Sequence, residues 1–310
     1  MLRVLHPGIS LANLCQLFGK SRQGYYQSRQ FYLDRSSLDA IVSQLVIELR
    51  IKIGNEKIGG RKLLPLINEQ LAKSGLQIGR DRLFDIMEAN DLKVRRRKRK
   101  RPITTNSRHG FKRYNNLIKD LAIEQAEQVW VSDITYIHVA GKFMYLSLIT
   151  DAYSRKIVGH CLHENLSTQG TLQALLMALT NRYYPNRSLI HHSDQGTQYC
   201  SHQYVSMLKT HDVAISMAHK GSPHENALAE RVNGILKQEY GLGKSIDNQQ
   251  KAIQMVNKAI ESYNCKRPHN SLAGQTPNQI HGNVRWRQDL EEGMSSKNRT
   301  KITNVTTNQD

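Results

Sequence analysis

The stretch Val129–Val139 is apolar or aromatic on both of its faces, which suits a strand covered on both sides and therefore central in a sheet. Asp133 stands in the middle of it. A lone carboxylate in such a place is costly unless something compensates its charge. A second short apolar strand, Ser188–His192, is followed by Asp194, which opens the turn Asp-Gln-Gly ending at Gly196. Glu230 falls in a helical stretch, with 35 residues between it and Asp194. Two carboxylates about 4 Å apart repel by about 4 kcal/mol at an effective dielectric of about 20, so three converging acids take up protons or bind a cation. Hard oxygen ligands without a paired His or Cys select Mg2+ or Mn2+. Two such ions roughly 3.5–4 Å apart suit in-line displacement at phosphorus. The chemistry implied is cleavage or transfer of a nucleic-acid strand.

The charge balance points the same way. With 44 Lys and Arg against 26 Asp and Glu, the formal net charge of +18 favours a polyanionic partner, either nucleic acid or an anionic membrane surface. No apolar run approaches the ~20 residues that span a bilayer, and Met1–Gly8 lacks the apolar core of a secretory signal. A cytoplasmic protein, associated with the nucleoid when bound to DNA, is expected. Cys15, Cys161, Cys200 and Cys265 are scattered without zinc-ligand spacing, which reads as inert thiols in a reducing compartment.

The 310 residues divide by pattern. Residues 1–92 are helical, with two units like a helix-turn-helix. The first is a pair of short helices within 9–29 around Gly19-Lys-Ser21. The second spans about 36–92, is broken at Gly59-Gly60, and ends in a helix from Arg80 to Asn90 that presents Arg80 and Arg82. Residues 93–127 form a linker that begins with eight basic residues out of nine, Lys93 to Arg101. Such a block repels itself and cannot enter a core. Within it, Arg95, Arg96, Arg97, Lys98, Arg99, Lys100 and Arg101 are candidate DNA-backbone contacts.

Residues 128–241 alternate strands and helices, as expected of an α/β domain with a mixed sheet. Strands at about 129–138, 142–150 and 155–161 suit an antiparallel meander. Helices at 168–184, 199–211 and 225–240 and strands at 188–193 and 213–217 complete it. Residues 242–293 read as a helical extension, and 294–310 as a polar, disordered tail.

In the 225–240 helix, Leu228, Val232, Ile235 and Leu236 form the apolar stripe. Glu230 falls roughly opposite, in line with Asn226, Asn233 and Lys237, as on any polar outer face. Ser193 and Ser222 lack the neighbours that would activate a nucleophile. His191 and His192 beside a strand end suit hydrogen-bonded structural roles, and Asp151 suits the cap of a hairpin.

Several ordered stretches resemble one family. They are Ser21-Arg-Gln-Gly-Tyr-Tyr26, Trp130-Val-Ser-Asp-Ile-Thr-Tyr136, Asp151-Ala-Tyr-Ser-Arg155, His192-Ser-Asp-Gln-Gly196 with Gln198-Tyr199, Lys220 to Glu230, and Tyr263 to Leu272 with Thr276-Pro277. Together they resemble the catalytic-frame transposases of bacterial insertion sequences in the insertion sequence three family, which carry a retroviral-integrase-like core. The resemblance implies an RNase H-like fold with Asp133 on the first strand, Asp194 just past the fourth and Glu230 on the following helix. It makes these the three metal-binding, catalytic acids of a DDE-type enzyme using Mg2+ or Mn2+, as two ions.

Lys237 matches a basic position that the family places near DNA. Glu225 stands where the family usually has Asp, and no role is carried over to it. The partners implied are DNA, both the element's terminal inverted repeats and the target, a homo-oligomer on DNA, and an upstream-frame helix-turn-helix product or frameshift fusion. The alternative is a DNA-binding regulator of transposition without turnover.

Overall fold

The computed structural model describes residues 8, 10–94, 110–219 and 223–282, without the side chains of 29–34 and 223–224. These residues fall into two compact units. One is drawn from Met1–Ile51 and Gly59–Arg95, the other from Lys52–Ile58 and Arg96–Asp310.

The first unit is helical. Ser10 caps α1 (Leu11–Leu17) by accepting from the Asn13 amide at 3.2 Å, and Ser21 accepts from the Gly24 amide at 3.0 Å as α2 (Arg22–Ile53) begins. Gly19 turns the chain between them at φ 63°. The short second helix expected within 9–29 is instead the start of one 32-residue helix. No Gly or Pro lies between Gly24 and Gly54, so nothing interrupts it until Gly54 takes φ 71°. α3 (Gly60–Ala72) and α4 (Arg80–Ala89) follow, and Val42, Val46, Leu49, Leu63, Ile67, Leu71, Leu83, Ile86 and Met87 are buried. Asn68 pins the intervening turn by bonding both the amide and the carbonyl of Ile78, at 3.0 and 3.1 Å.

The second unit is built on a five-stranded sheet. Its strands are β1 (Val129–Val139), β2 (Lys142–Asp151), β3 (Ile157–His163), β4 (Leu189–Ser193) and β5 (Val213–Met217), in the order β3-β2-β1-β4-β5. β1, β2 and β3 form the expected antiparallel meander, whereas β4 runs parallel to β1 and β5 parallel to β4. β1 is central. The turn at Ala140-Gly141 has φ 48° and 79°, the two left-handed residues of a tight hairpin.

The remaining helices are α5 (Thr168–Thr180), α6 (Thr197–Cys200), α7 (His202–Thr210), α8 (Ala227–Glu239), α9 (Gln249–Cys265) and α10 (Pro277–His281). One sheet face packs Ile137, Val139, Leu146 and Leu148 against Val232 and Leu236 of α8 and Val256 and Ile260 of α9. The other packs Trp130 and Ile149 against Ala174, Leu175 and Ala178 of α5 and Tyr204 and Leu208 of α7. This mixed sheet between helical layers is the RNase H-like fold.

Two helices differ from expectation. The segment 199–211 divides at Ser201, whose Oγ accepts from the Tyr204 amide at 3.3 Å and starts α7 afresh. α5 stops at Thr180, and the amides of Tyr183 and Tyr184 go instead to Glu127, at 2.7 and 3.0 Å.

Glu127 is fully buried and receives Arg182 Nε at 3.3 Å, with His281 Nε2 at 3.5 Å. Its own amide donates to Asp151 Oδ2 at 2.6 Å, and Asp151 Oδ1 accepts from the amide and hydroxyl of Ser154, both at 2.7 Å. Asp151 therefore caps its hairpin and also joins it to α10. Burial disfavours the Glu127 anion, but His281, the two amides and Arg182 outweigh it and bring its pKa down to about 2.

The described part of the expected linker also lies on this unit. Phe111 and Tyr114 pack against one core cluster, and the Leu117 amide donates to Ser216 Oγ at 2.9 Å. Arg95 to Arg101 and the tail 294–310 lie outside the described residues. Among the described residues no helix is long and apolar enough to cross a membrane.

Two outcomes test this architecture. A Cβ at Gly159 of β3 would stand 2.2 Å from the Ala174 carbonyl oxygen on α5. Gly159→Ala is therefore expected to cost about 1–3 kcal/mol in a urea melt, and Gly110→Ala, with nothing within 4 Å, much less. Glu127→Ala leaves Arg182 and His281 buried without their anion and is expected to cost about 3–5 kcal/mol at pH 7. The wild-type contribution of a depressed carboxyl is present above its unfolded value of 4.5 and lost as pH falls toward about 2. The deficit of the variant in melts should shrink over that interval, and a constant deficit would refute the ionic account.

Candidate active site

The sheet register brings Asp194, just past the end of β4, near Asp133 of β1. The two strands are parallel with Val131 opposite His192, and two residues further along the chain from these are Asp133 and Asp194. Asp133 is half-buried, with Oδ1 accepting from the Ile134 amide at 2.9 Å and Oδ2 from Asn233 Nδ2 of α8 at 2.8 Å. Asp194 Oδ1 accepts from the Gly196 amide at 2.9 Å. A Cβ at Gly196 would approach that same oxygen to 2.9 Å, so the turn favours glycine here. Glu230 lies in the first turn of α8 and is exposed.

Burial raises the Asp133 carboxyl to about 7, with repulsion from Asp194 and, more weakly, from Glu230 adding to it against the hydrogen bonds from Asn233 and Ile134. Asp194 and Glu230 therefore both lie within electrostatic reach of Asp133. The three acids are not drawn into a tight cluster: among the described residues no three His, Cys, Asp or Glu side chains close to metal-holding distance. Mutual repulsion opposes closer approach unless a cation is present.

The surroundings carry a surplus of acceptors. Asn226 and Asn233 are buried on the β1 side of α8, where Asn226 Nδ2 donates to the Ser132 carbonyl at 3.0 Å. The Oδ1 atoms of both asparagines, and the Tyr199 hydroxyl, are buried without a hydrogen-bond partner. Tyr199 has its pKa raised by burial, with the charges of Tyr204, Asp133 and Asp194 adding to it. Oxygen donors only, a carboxylate destabilised as an anion, and orphaned acceptors nearby are a donor set that fits a hard divalent cation.

Lys237 lies two turns beyond Glu230 and is partly buried, its Nζ 3.8 Å from the centroid of the Tyr136 ring. Desolvation lowers its pKa to about 8, and attraction to Asp133 limits the fall. The row Asn226, Glu230, Asn233, Lys237 is therefore not a solvated outer face, because its asparagines are buried against β1. The i, i+4, i+7, i+11 spacing of polar residues was the available signal, but spacing alone does not say which side of a helix meets a sheet.

The other candidates separate. His191 Nε2 lies 2.6 Å from Ser132 Oγ and 2.9 Å from the Tyr204 hydroxyl, and burial lowers its pKa to about 3, so it is a neutral structural residue. His192 Nδ1 lies 2.8 Å from Ser216 Oγ, and Ser193 Oγ donates to the Asp194 carbonyl at 3.0 Å. Glu225 accepts from the His219 amide at 2.7 Å and from Asn116 Nδ2 at 2.9 Å, a structural clamp. In the helical unit Arg80 is exposed beside Asp81, at 2.8 Å. Arg82 is partly exposed, and its guanidinium is held by Asp39.

Comparison with known proteins gives the family of the chain. Residues 123–223 and 211–277 match models of the integrase core domain. The chain is 35% identical over 271 residues to an insertion element IS600 uncharacterized 31 kDa protein of Shigella sonnei, covering 85% of this chain and 96% of the relative. It is 30% identical to the transposase for insertion sequence element IS904 of Lactococcus lactis, covering 76% of this chain and 93% of that one. Among solved structures, the HTLV-2 integrase catalytic core in complex with magnesium matches at 20% identity with a TM-score of 0.41, over 51% of this chain and 97% of that one. At such identity and coverage of its bacterial relatives, the chain belongs to the insertion-sequence transposases with an integrase core domain.

Proposed function

We propose that Asp133, Asp194 and Glu230 are the catalytic and metal-binding acids of this DNA transposase, which cleaves element-end DNA and joins it to a target. As a member of its family the chain is a polynucleotidyl transferase. The observation that carries the assignment is geometric: the parallel β1–β4 register continues to Asp133 and Asp194, and Asn233 of the helix that bears Glu230 donates to Asp133 Oδ2 at 2.8 Å. Burial and the two neighbouring acids also disfavour the Asp133 anion, and such a site gains stability from a cation. Divalent ions held by these acids, Mg2+ or Mn2+ as a pair, supply Lewis-acid stabilisation of charge developing on the phosphoryl oxygens.

The protein's own groups do the positioning. Asn233 and the Ile134 amide orient Asp133, the Gly196 amide orients Asp194, and Lys237 sets a cation where a DNA phosphate can meet it. In the first reaction water displaces one side of a phosphodiester and releases a 3′-hydroxyl. In the second that hydroxyl attacks a target phosphodiester, so one ester bond forms as one breaks. Neither step needs a covalent link to the enzyme.

Arg80 and the block Arg95–Arg101 serve the DNA backbone in this reading, whereas Arg82 is engaged by Asp39 and has less to offer a phosphate. Two ends must be paired, so the working form is a homo-oligomer on DNA in the nucleoid, with the element's terminal repeats read jointly with an upstream-frame partner or fusion.

Asp133→Ala is expected to abolish both cleavage and strand transfer on labelled end DNA with magnesium while leaving DNA binding nearly intact. Retained strand transfer would remove Asp133 from the chemistry, and metal-independent nicking would remove the cation. A second outcome concerns stability in EDTA. A carboxyl whose folded pKa is raised contributes stability at acid pH that is lost between the unfolded value of 3.8 and about 7. Asp133→Asn should therefore be more stable than the wild type at pH 8, on the order of 2 kcal/mol after discounting for partial exposure, and not at pH 4. Melts that differ equally at both pH values would contradict the shift.

A further inference from the structure

The turn end of the β1–β2 hairpin carries an exposed aromatic ring, Phe143, that neither the fold nor the proposed chemistry uses. Phe143 of β2 is 52% exposed, unlike the buried Met144, Leu146 and Leu148 that follow on the same strand. Its ring stands edge-on to Tyr136 at 5.2 Å and to His138, its cross-strand partner, at 5.1 Å. The Lys237 ammonium lies over the Tyr136 ring, 3.8 Å from its centroid, and feels the Asp133 charge.

From His138 the contacts continue outward. His138 Nδ1 is 3.2 Å from Ser245 Oγ, and the Ile246 amide donates to the His138 carbonyl at 2.9 Å. Ser245 and Ile246 line a pocket of about 400 Å³ whose wall also carries Lys57, Lys244, Lys251 and Lys258. Two acids, Glu56 and Glu239, share that wall. Glu239 is already held by Arg267, at 2.7 and 2.8 Å, and by Asn55 at 2.8 Å. Lys251 is paired with Asp247 at 2.5 Å. Lys57, Lys244 and Lys258 leave the pocket cationic.

We propose that this track carries a DNA strand away from the carboxylates, with an unpaired base stacked on Phe143 and the following phosphates bound by Lys57, Lys244 and Lys258. The inference rests on the reading of Asp133, Asp194 and Glu230 given above, which sets where the strand starts. Aromatic rings accept any base face, and ammonium groups accept any phosphate, so the track suits a single strand irrespective of sequence. At about 3.4 Å per residue, His138 lies roughly 17 Å along β1 from Asp133, roughly the length of five stacked nucleotides. A second protein would need an acidic face to match the lysines, whereas this chain, at +18, offers a copy of itself none in net charge.

The test uses the full chain in EDTA, where no cleavage occurs and no metal bridges the acids. The probes are a duplex with a five-nucleotide single-stranded extension carrying 2-aminopurine and the blunt duplex of the same sequence. Phe143→Ala and Phe143→Leu should each weaken binding to the extended duplex about tenfold and abolish the 2-aminopurine quenching, with blunt-duplex affinity unchanged. Phe143→Trp should restore both.

Replacing Lys57, Lys244 and Lys258 by Gln should lower the slope of log affinity against log salt by about 2, three contacts at about 0.7 each on single strands. Quenching and affinity that survive Phe143→Ala, or equal losses on both duplexes, overturn the proposal. So does a Phe143→Ala variant that changes the sedimentation coefficient while binding extended DNA normally, because the patch then belongs to a second copy. Binding here is read without metal, so it can fail while the activity test of Asp133 succeeds, and the reverse.

Discussion

Repulsion among carboxylates at the centre of the sheet is the constraint on which the integrase-like unit turns. Asp133 occupies a central strand where burial and Asp194 both work against its ionised form, and Glu230 adds to that from α8. Among the described residues the fold sets no arginine against Asp133 to relieve the repulsion. It supplies polar donors, Asn233 and the Ile134 amide, which orient Asp133 without neutralising it. In the proposed reading, a divalent cation entering the site would relieve that tension.

The tension is tolerable because the surroundings are firmly held. Leu236 of α8 is buried against Ile137, Val139 and Leu146, and Val232 lies in the same cluster, so the face bearing Asn226 and Asn233 is pressed onto β1. At the other end of β1, Glu127 gathers Arg182, the Tyr183 and Tyr184 amides and His281, while its own amide reaches Asp151. This network joins the start of β1, the end of α5, the β2 hairpin and α10. A carboxylate buried there is stabilised, its pKa brought down to about 2, whereas the one at Asp133 is raised to about 7. The same carboxylate chemistry gives a stabilised anion in one place and a destabilised one in the other, and the number of donors facing each group makes the difference.

Much of this was legible in the chain. The strand positions of β1, β4 and β5, the meander of β1 to β3 and the hairpin at Ala140-Gly141 all followed from apolar runs and turn residues. So did the capping role of Asp151 and the structural character of His191. Less legible was the 32-residue α2, whose polar middle carries no apolar periodicity that would separate one helix from two. Helical spacing alone leaves open whether the polar stripe of α8 faces solvent or the sheet, because Asn226 and Asn233 look like solvent-facing residues until a partner strand is placed beside them. The role of Glu127 is not legible in the sequence, since nothing local marks a glutamate whose four partners lie 55 to 154 positions away. Arg82 was expected to face solvent and is, though partly exposed, bound to Asp39, from a helix far earlier in the chain.

The sequence by itself determined the element pattern, the basic character that suits DNA and the identity of three acids in settings that demand compensation, because hydrophobic period and charge are local properties of the chain. Only the tertiary structure decided that Asp194, just past the end of β4, comes near Asp133 of the parallel β1, that Asn233 orients Asp133, and that Glu127 is a structural anion. Those outcomes depend on strand register and on which helix face meets the sheet, and both are set by packing between segments distant in sequence.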